Sequence, residues 1–200
     1  MQIEQCIEQL RQGATGLSPA KFAHIVCLTA RFAEMRQWYI IVLNATVAFE
    51  NERLCFLRYD DEHHRIGLVY QDDLAPLPEA PISSVHHFSF TYRTLPELLG
   101  TYVRLNDAGI KPFWPVNHGP TSSIYYKDPD GHRVELQYDN FTDGESERFF
   151  AEGNYKENPI GVIFDPEDWI RRYSEGEPIN SIIRRPKLPD GVSPFDMIRF

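Results

Sequence analysis

His132-Arg133-Val134-Glu135-Leu136, fed by the turn Asp128-Pro129-Asp130-Gly131, is matched earlier in the chain by His64-Arg65-Ile66-Gly67-Leu68. Each reads as a short strand. Each also follows a strand-like run that opens on histidine: His24-Ile25-Val26-Cys27-Leu28 in the first half and His87-Phe88-Ser89-Phe90 in the second. The spacing is 43 residues from His24 to Gly67 and 48 from His87 to Glu135. A duplicated unit of this kind offers one ligand near its beginning and another near its end. The pattern supplies His24, His87 and Glu135, and Gly67 leaves the fourth place empty. Two imidazoles and one carboxylate with open positions describe a working Fe(II)-type site, not a sealed structural one.

Working outward, apolar residues at 32, 35, 38, 39, 42 and 43 predict a helix over Phe32–Leu43. It follows a strand over 22–29 and precedes three more, Thr46–Asn51, Leu54–Tyr59 and His64–Tyr70. After a proline-rich connector, Leu74 to Pro81, the order recurs. His86–Tyr92 is a strand and Leu95–Ala108 a helix stopped by Gly109; Lys111–Val116, Ser122–Tyr126 and His132–Tyr138 are strands. One such unit buries its open face only against something else, most simply the other copy. The expected fold is α+β: two tandem βαβββ modules forming one curved mixed sheet around a metal-containing cleft. Residues 1–21 form an N-terminal segment with a weak helical pattern (Ile3, Cys6, Ile7, Leu10). Residues 22–140 hold the modules (about 22–73 and 84–140), and 141–200 form a C-terminal extension packed on the core or on a partner subunit. Within it, Asp165-Pro166-Glu167 opens a helix through Tyr173, with Asp165 as cap.

Charge and cysteine content narrow the function. With 20 basic and 29 acidic residues the net charge is −9, which repels nucleic acid over most of the surface. The basic clusters Arg171-Arg172 and Arg184-Arg185-Pro186-Lys187 read as solvated or salt-bridged patches. No apolar run approaches a membrane span, and no basic-then-apolar leader opens the sequence. Cys6, Cys27 and Cys55 are odd in number and lack a CxxC spacing, so Cys27 and Cys55 read as small core residues. The expected location is the cytoplasm. The glycines stand singly, which excludes phosphate-cradling and dinucleotide loops and the nucleophile elbow.

The pieces His24-Ile25-Val26, Asp61-Glu62-His63-His64, Val85-His86-His87-Phe88 and Tyr125 through Glu135 resemble the vicinal-oxygen-chelate superfamily. That superfamily includes glyoxalase, the bleomycin-resistance proteins and the type I extradiol ring-cleaving dioxygenases. The resemblance covers roughly residues 22–140 and extends to Asn158-Pro159-Ile160-Gly161-Val162. The Asp-Pro-Asp-Gly turn marks only the fold; His64, paired His86-His87 and Tyr125 together resemble the extradiol branch. The chain holds one pair of repeats, where larger members carry another pair before the catalytic one.

The resemblance implies that His24, His87 and Glu135 hold Fe(II), or alternatively Mn(II). It implies that His64 handles the substrate proton, and that Tyr125 and, with a two-residue offset, His118 complete the catalytic set. The implied partners are a small aromatic diol and O2, with no nucleic acid or membrane, and a homo-oligomer such as a dimer.

Residue by residue the sequence agrees. Glu135 between Val134 and Leu136 on a buried strand is costly unless paired or metal-bound. Strand alternation turns His86 and His132 away from the ligand face. His63 reads as the solvent-side neighbour of His64. Only one of Tyr125 and Tyr126 faces inward, and the tight turn brings Tyr125 beside Glu135. Trp38 belongs to the core and Trp114 to a pocket wall. The expected activity is Fe(II)-dependent extradiol cleavage of a catechol. The alternatives are a metal-dependent isomerase, lyase or tailoring enzyme of the same superfamily, and a small-molecule binding or resistance protein.

Overall fold

Apolar spacing sets the helices of the computed structural model, which describes residues 2–78 and 82–199; Met1, Phe200 and the last three residues of the expected connector, Glu79–Pro81, lie outside the described residues. Helix α1 spans Gln2–Gly13 and is exposed from Ile3 to Gly13. The first module runs β1 (Ile25–Thr29), α2 (Phe32–Leu43), β2 (Thr46–Glu50), β3 (Leu54–Arg58) and β4 (Ile66–Tyr70). The second repeats it as β5 (Phe88–Tyr92), α3 (Leu95–Asp107), β6 (Trp114–Asn117), β7 (Thr121–Lys127) and β8 (Arg133–Asp139). Helix α2 buries Met35, Trp38, Tyr39, Val42 and Leu43, one stripe at helical spacing. Helix α3 starts at a capping box in which Thr94 and Glu97 satisfy each other's backbone N–H, and buries Leu95, Leu98, Leu99, Tyr102 and Leu105.

The first sheet has the strand order β1-β4-β3-β2. The second has β5-β8-β7-β6 and adds at its edge β9 (Val162–Ile163), which pairs with β6. In each module the first and last strands are parallel and the others antiparallel. Among the described residues no ladder joins the two sheets; they are joined by side chains. One core runs from Met35, Trp38, Tyr39, Cys55 and Leu57 to Leu98, Leu105, Ile124, Val134 and Leu136. Each aliphatic side chain so buried contributes about 1.5–3 kcal/mol. Polar ties cross the same joint: Tyr39 Oη donates to Asp128 Oδ2 (3.0 Å), and Arg104 Nη2 donates to the Val42 carbonyl (3.1 Å).

The extension carries more helix than the one expected to open at Asp165: α4 (Asp143–Ala151), α5 (Asn154–Glu157), α6 (Pro166–Ser174) and α7 (Ile179–Ile182), then a 3-10 turn at Pro194–Met197. Thr142 and Glu145 form a capping box for α4, and Asp165 caps α6 as expected. Ile182 and Ile183 pack with Leu95, Leu99 and Trp169, which fastens the extension to the second module. Among the described residues no helix is long and apolar enough to cross a membrane.

Candidate active site

Strand register decides what meets on the inner face of the second sheet. Tyr125 of β7 lies opposite Glu135 of β8, and Ser89 of β5 lies on its other side. The neighbours Val134 and Leu136 point the other way and are fully buried, so Glu135 alone faces inward on that stretch. Tyr125 Oη donates to Glu135 Oε1 (2.8 Å), and His87 Nε2 sits 3.1 Å from Glu135 Oε2. Both carboxylate oxygens therefore have a partner, although the residue is only 4% exposed. Burial pushes the carboxyl upward in pKa, but hydrogen bonds from His87, Ser123 and Tyr125 outweigh it and hold the group at about 2. Glu135 is thus an ionised carboxylate beside an imidazole nitrogen.

His118, on the loop between β6 and β7, extends this chain. Its Nε2 is 3.1 Å from Tyr125 Oη, and its Nδ1 donates to the Ile160 carbonyl. With Nδ1 carrying hydrogen, Nε2 of the neutral ring is an acceptor. Burial lowers the pKa of His118, which favours that neutral form. The Tyr125 proton consequently has two acceptors on offer, Glu135 and His118. Burial, the Glu135 charge and the hydrogen bond to it raise the phenol's pKa, so it keeps its proton. Trp114 stacks on Tyr125 (centroids 4.8 Å apart) and meets the His118 ring edge-on at 5.7 Å. His86 touches His87 through their Nδ1 atoms, 2.7 Å apart, so one carries a hydrogen that the other accepts.

The first module gathers a different set. His24 lies against His64, with ring centroids 4.3 Å apart, and His63 Nδ1 is 2.6 Å from His64 Nδ1. Among the described residues, His24, His63 and His64 are the one set of three candidate ligands whose donor atoms all lie within 4.8 Å of one another. His64 is buried and stacks on Phe56 (4.3 Å, 14°). Burial, then the neighbouring His24 and His63, lower its pKa. Of the six residues singled out in the sequence, His87, Glu135, Tyr125 and His118 form one connected group, while His24 and His64 form another with His63. His132 has a structural partner, Asp128 Oδ2 at 2.9 Å.

The sequence reading missed what the extension contributes. Arg184-Arg185 read as a solvated patch, yet Arg185 is half-buried and donates to the His118 carbonyl (2.9 Å) and the Asn158 carbonyl (3.1 Å). Asn158 Oδ1 accepts from Gly161 N (2.7 Å) and so shapes the turn that offers the Ile160 carbonyl. The available signal was the run Asn158-Pro159-Ile160-Gly161, whose asparagine–proline start marks a turn. An arginine side chain binding distant carbonyls leaves no such pattern.

The paired modules, with Glu135 on an inner strand and histidines just before the inner strands, define a metal-site scaffold of the glyoxalase type. The chain belongs to the Glyoxalase/Bleomycin resistance protein/Dioxygenase superfamily, whose profile matches residues 21–136. It is 42% identical over 163 residues to biphenyl-2,3-diol 1,2-dioxygenase 2 of Rhodococcus globerulus, covering 81% of this chain and 86% of that one. It is also 42% identical over 168 residues to biphenyl-2,3-diol 1,2-dioxygenase 3 of the same organism, covering 82% and 88%. Among solved structures, an integron cassette protein from the mobile metagenome of the Halifax Harbour sewage outfall has the same fold. That match has a TM-score of 0.50 at 19% identity and covers 60% of this chain and 99% of that one.

Proposed function

We propose that this protein is an extradiol-type dioxygenase that opens the ring of a catechol with O2, using Fe(II) held by His24, His87 and Glu135. The observation that carries the reading is the connected group His87–Glu135–Tyr125–His118. It combines an ionised buried carboxylate, an imidazole on one oxygen and a phenol on the other. The donor chemistry fits: imidazole nitrogen and carboxylate oxygen suit Fe(II) or Mn(II), and a carboxylate buried this deeply is served by a cation. The two Rhodococcus relatives support a catechol bearing an aryl substituent, of the biphenyl-2,3-diol kind, as substrate.

Fe(II), when bound, supplies a common anchor for both catechol oxygens and O2 and a route for electrons from ring to oxygen. The protein's own groups manage protons and position. His64, kept neutral by burial, takes a hydroxyl proton from the catechol and returns it as the ring opens. Tyr125, whose one hydroxyl hydrogen goes to Glu135 Oε1, swings it to a substrate oxygen as charge develops there. His118 Nε2, 3.1 Å from the same oxygen, is the other acceptor open to that hydrogen. Trp114, stacked on Tyr125, keeps this wall dry. Both oxygen atoms of O2 enter the product, so no further reductant is needed.

The test is anaerobic reconstitution with Fe(II), removal of free metal, and addition of 2,3-dihydroxybiphenyl or catechol followed by air. Oxygen uptake equal to substrate consumed, with a yellow ring-opened product, is expected. No uptake with either Fe(II) or Mn(II) bound rules the activity out.

One observation favours a second arrangement of the metal: the converging donors of His24, His63 and His64. The two arrangements separate by metal analysis. Glu135→Ala loses the metal and His63→Ala keeps it if the second module's pair ligates; the reverse holds if the three histidines do. An isomerase, lyase or tailoring reaction on the same metal would give product without oxygen uptake, and a binding or resistance protein would give neither.

A further inference from the structure

His118 has a side chain engaged at both ring nitrogens and a backbone carbonyl engaged by a residue far along the chain. Arg185 Nη1 donates to the His118 carbonyl (2.9 Å) and to the Asn158 carbonyl (3.1 Å), and Nη2 donates to the Asn154 carbonyl (3.4 Å). Its guanidinium lies 4.9 Å over the Phe149 ring. One cation thus ties together the loop that carries His118 and the turn that carries Ile160. Those are the two segments whose relative position sets the bond from His118 Nδ1 to the Ile160 carbonyl.

The surrounding packing leaves the two segments little slack. Gly119 has φ +103°, and a Cβ there would come within 2.4 Å of the Phe149 ring. A Cβ on Gly161 would come within 2.5 Å of the Asn117 carbonyl oxygen. Asn117 Nδ2 donates to the Ile183 carbonyl (2.7 Å), so the same stretch of the extension grips the loop a second time, two residues before Arg185. The grip acts on main chain from a planar donor fork, a geometry that guanidinium has and an ammonium lacks.

We infer that Arg185 is a positioning residue for the proposed reaction: by clamping the His118 and Asn158 carbonyls it fixes the His118 ring with Nδ1 protonated toward Ile160 and Nε2 open toward Tyr125. The inference rests on the dioxygenase reading for its kinetic consequence and on geometry alone for its structural one. Replacement of Arg185 frees the loop from the turn, loosens the bond to Ile160 and lets the ring exchange tautomers. Tyr125 then loses a fixed partner while the carboxylate pair with His87 stays in place.

Two readouts test this. The first needs no activity: ¹⁵N chemical shifts of the histidine rings in the metal-free full-length chain, with His118 assigned by its loss in His118→Gln. Wild type gives one Nδ1-protonated tautomer for His118, whereas Arg185→Ala gives averaged shifts and Arg185→Lys an intermediate pattern. The second is kinetic, on Fe(II)-loaded protein with 2,3-dihydroxybiphenyl. Arg185→Ala lowers kcat by roughly 10–100-fold, the range for groups that orient a working site from outside it, with KM and iron content within about threefold of wild type by the same reasoning. Arg185 lines a cavity of about 940 Å³, so guanidinium chloride at low millimolar concentration reaches the vacated place and restores part of the rate.

Unchanged His118 shifts in a folded Arg185→Ala overturn the inference, as does a lower melting temperature with tautomer and kcat unaltered. Should Arg185→Ala not fold, Arg185→Lys carries both measurements. Wild-type protein that turns over no catechol removes the dioxygenase reading, and the tautomer comparison still decides the role of Arg185.

Discussion

The two modules share an order of elements and a register, and they differ in what the inner faces carry. In the second, β5, β8 and β7 bring Ser89, Glu135 and Tyr125 into one row, with His87 two residues before Ser89. In the first, the corresponding row is Val26, Gly67 and Phe56, with His24 two residues before Val26. The substitution is systematic: carboxylate to glycine, phenol to phenyl, hydroxymethyl to isopropyl. Val26 crowds the position, where a Cβ on Gly67 would lie 3.1 Å from Val26 Cγ2. One module keeps an ionised carboxylate and its hydrogen-bond donors; the other keeps apolar strands and clusters its histidines beside them. Duplication thus supplies two scaffolds of which one is specialised for holding charge.

The largest effect that could break this contrast is at Glu135. Glu135→Ala removes the only inward carboxylate of that row, and Fe(II) retained after gel filtration falls to background, with ring-opening activity lost alongside. Metal content equal to wild type would remove Glu135 from the ligand set. A change at the opposite position, Gly67, leaves metal content unchanged, because nothing in the first row offers charge.

Next in size is His64→Ala. If His64 is the proton-transfer group of the proposed reaction, its loss lowers the ring-opening rate by roughly 10²–10⁴ while iron and catechol still bind. Anaerobic substrate titration followed by a single-turnover reaction with oxygen separates binding from chemistry. An oxygen-reaction rate equal to wild type at saturating substrate moves the proton-transfer role to His118.

A third comparison uses pH on metal-free protein. Glu135 titrates at about 2 in the fold against 4.5 for an ordinary glutamate, because hydrogen bonds from His87, Ser123 and Tyr125 outweigh the upward push of burial. A depressed pKa stabilises the fold fully above the unfolded value and loses that contribution as pH falls through the folded one. The advantage of wild type over Glu135→Gln, on the order of 3 kcal/mol at neutral pH, shrinks between pH 5 and pH 2 in urea unfolding. A difference that stays flat over that window would mean the pair with His87 does not stabilise the ionised form.

Much of this arrangement was legible in the sequence. Helix α2 is bounded as its apolar stripe required, and the Asp128–Gly131 turn set the register that puts Tyr125 opposite Glu135. These are local patterns, readable because period and turn chemistry act over a few residues. The partners of His118 were not legible. The Ile160 carbonyl and Arg185 reach it across 42 and 67 residues of chain through backbone contacts, which no side-chain periodicity encodes. The crowding of His24 with His63 and His64 was equally hidden, because strand alternation says which face a ring occupies and not which way it turns.

The smallest expected effect is the sharpest check on the first module's row, and it comes from Gly67→Ala. Gly67 has no positive φ, so alanine meets no backbone strain there, and the contact to relieve is the 3.1 Å approach of Val26 Cγ2. Val26 is 52% exposed, so its side chain turns outward at little cost instead of forcing the strands apart. What remains is the entropy that alanine removes from the unfolded chain, which stabilises the protein by roughly 0.4–1 kcal/mol. Denaturant unfolding should report a higher midpoint with unchanged slope. A loss of stability of that size or more would mean that Val26 is held against Gly67 by something beyond this chain's own contacts, and that the first row is packed as tightly as the second.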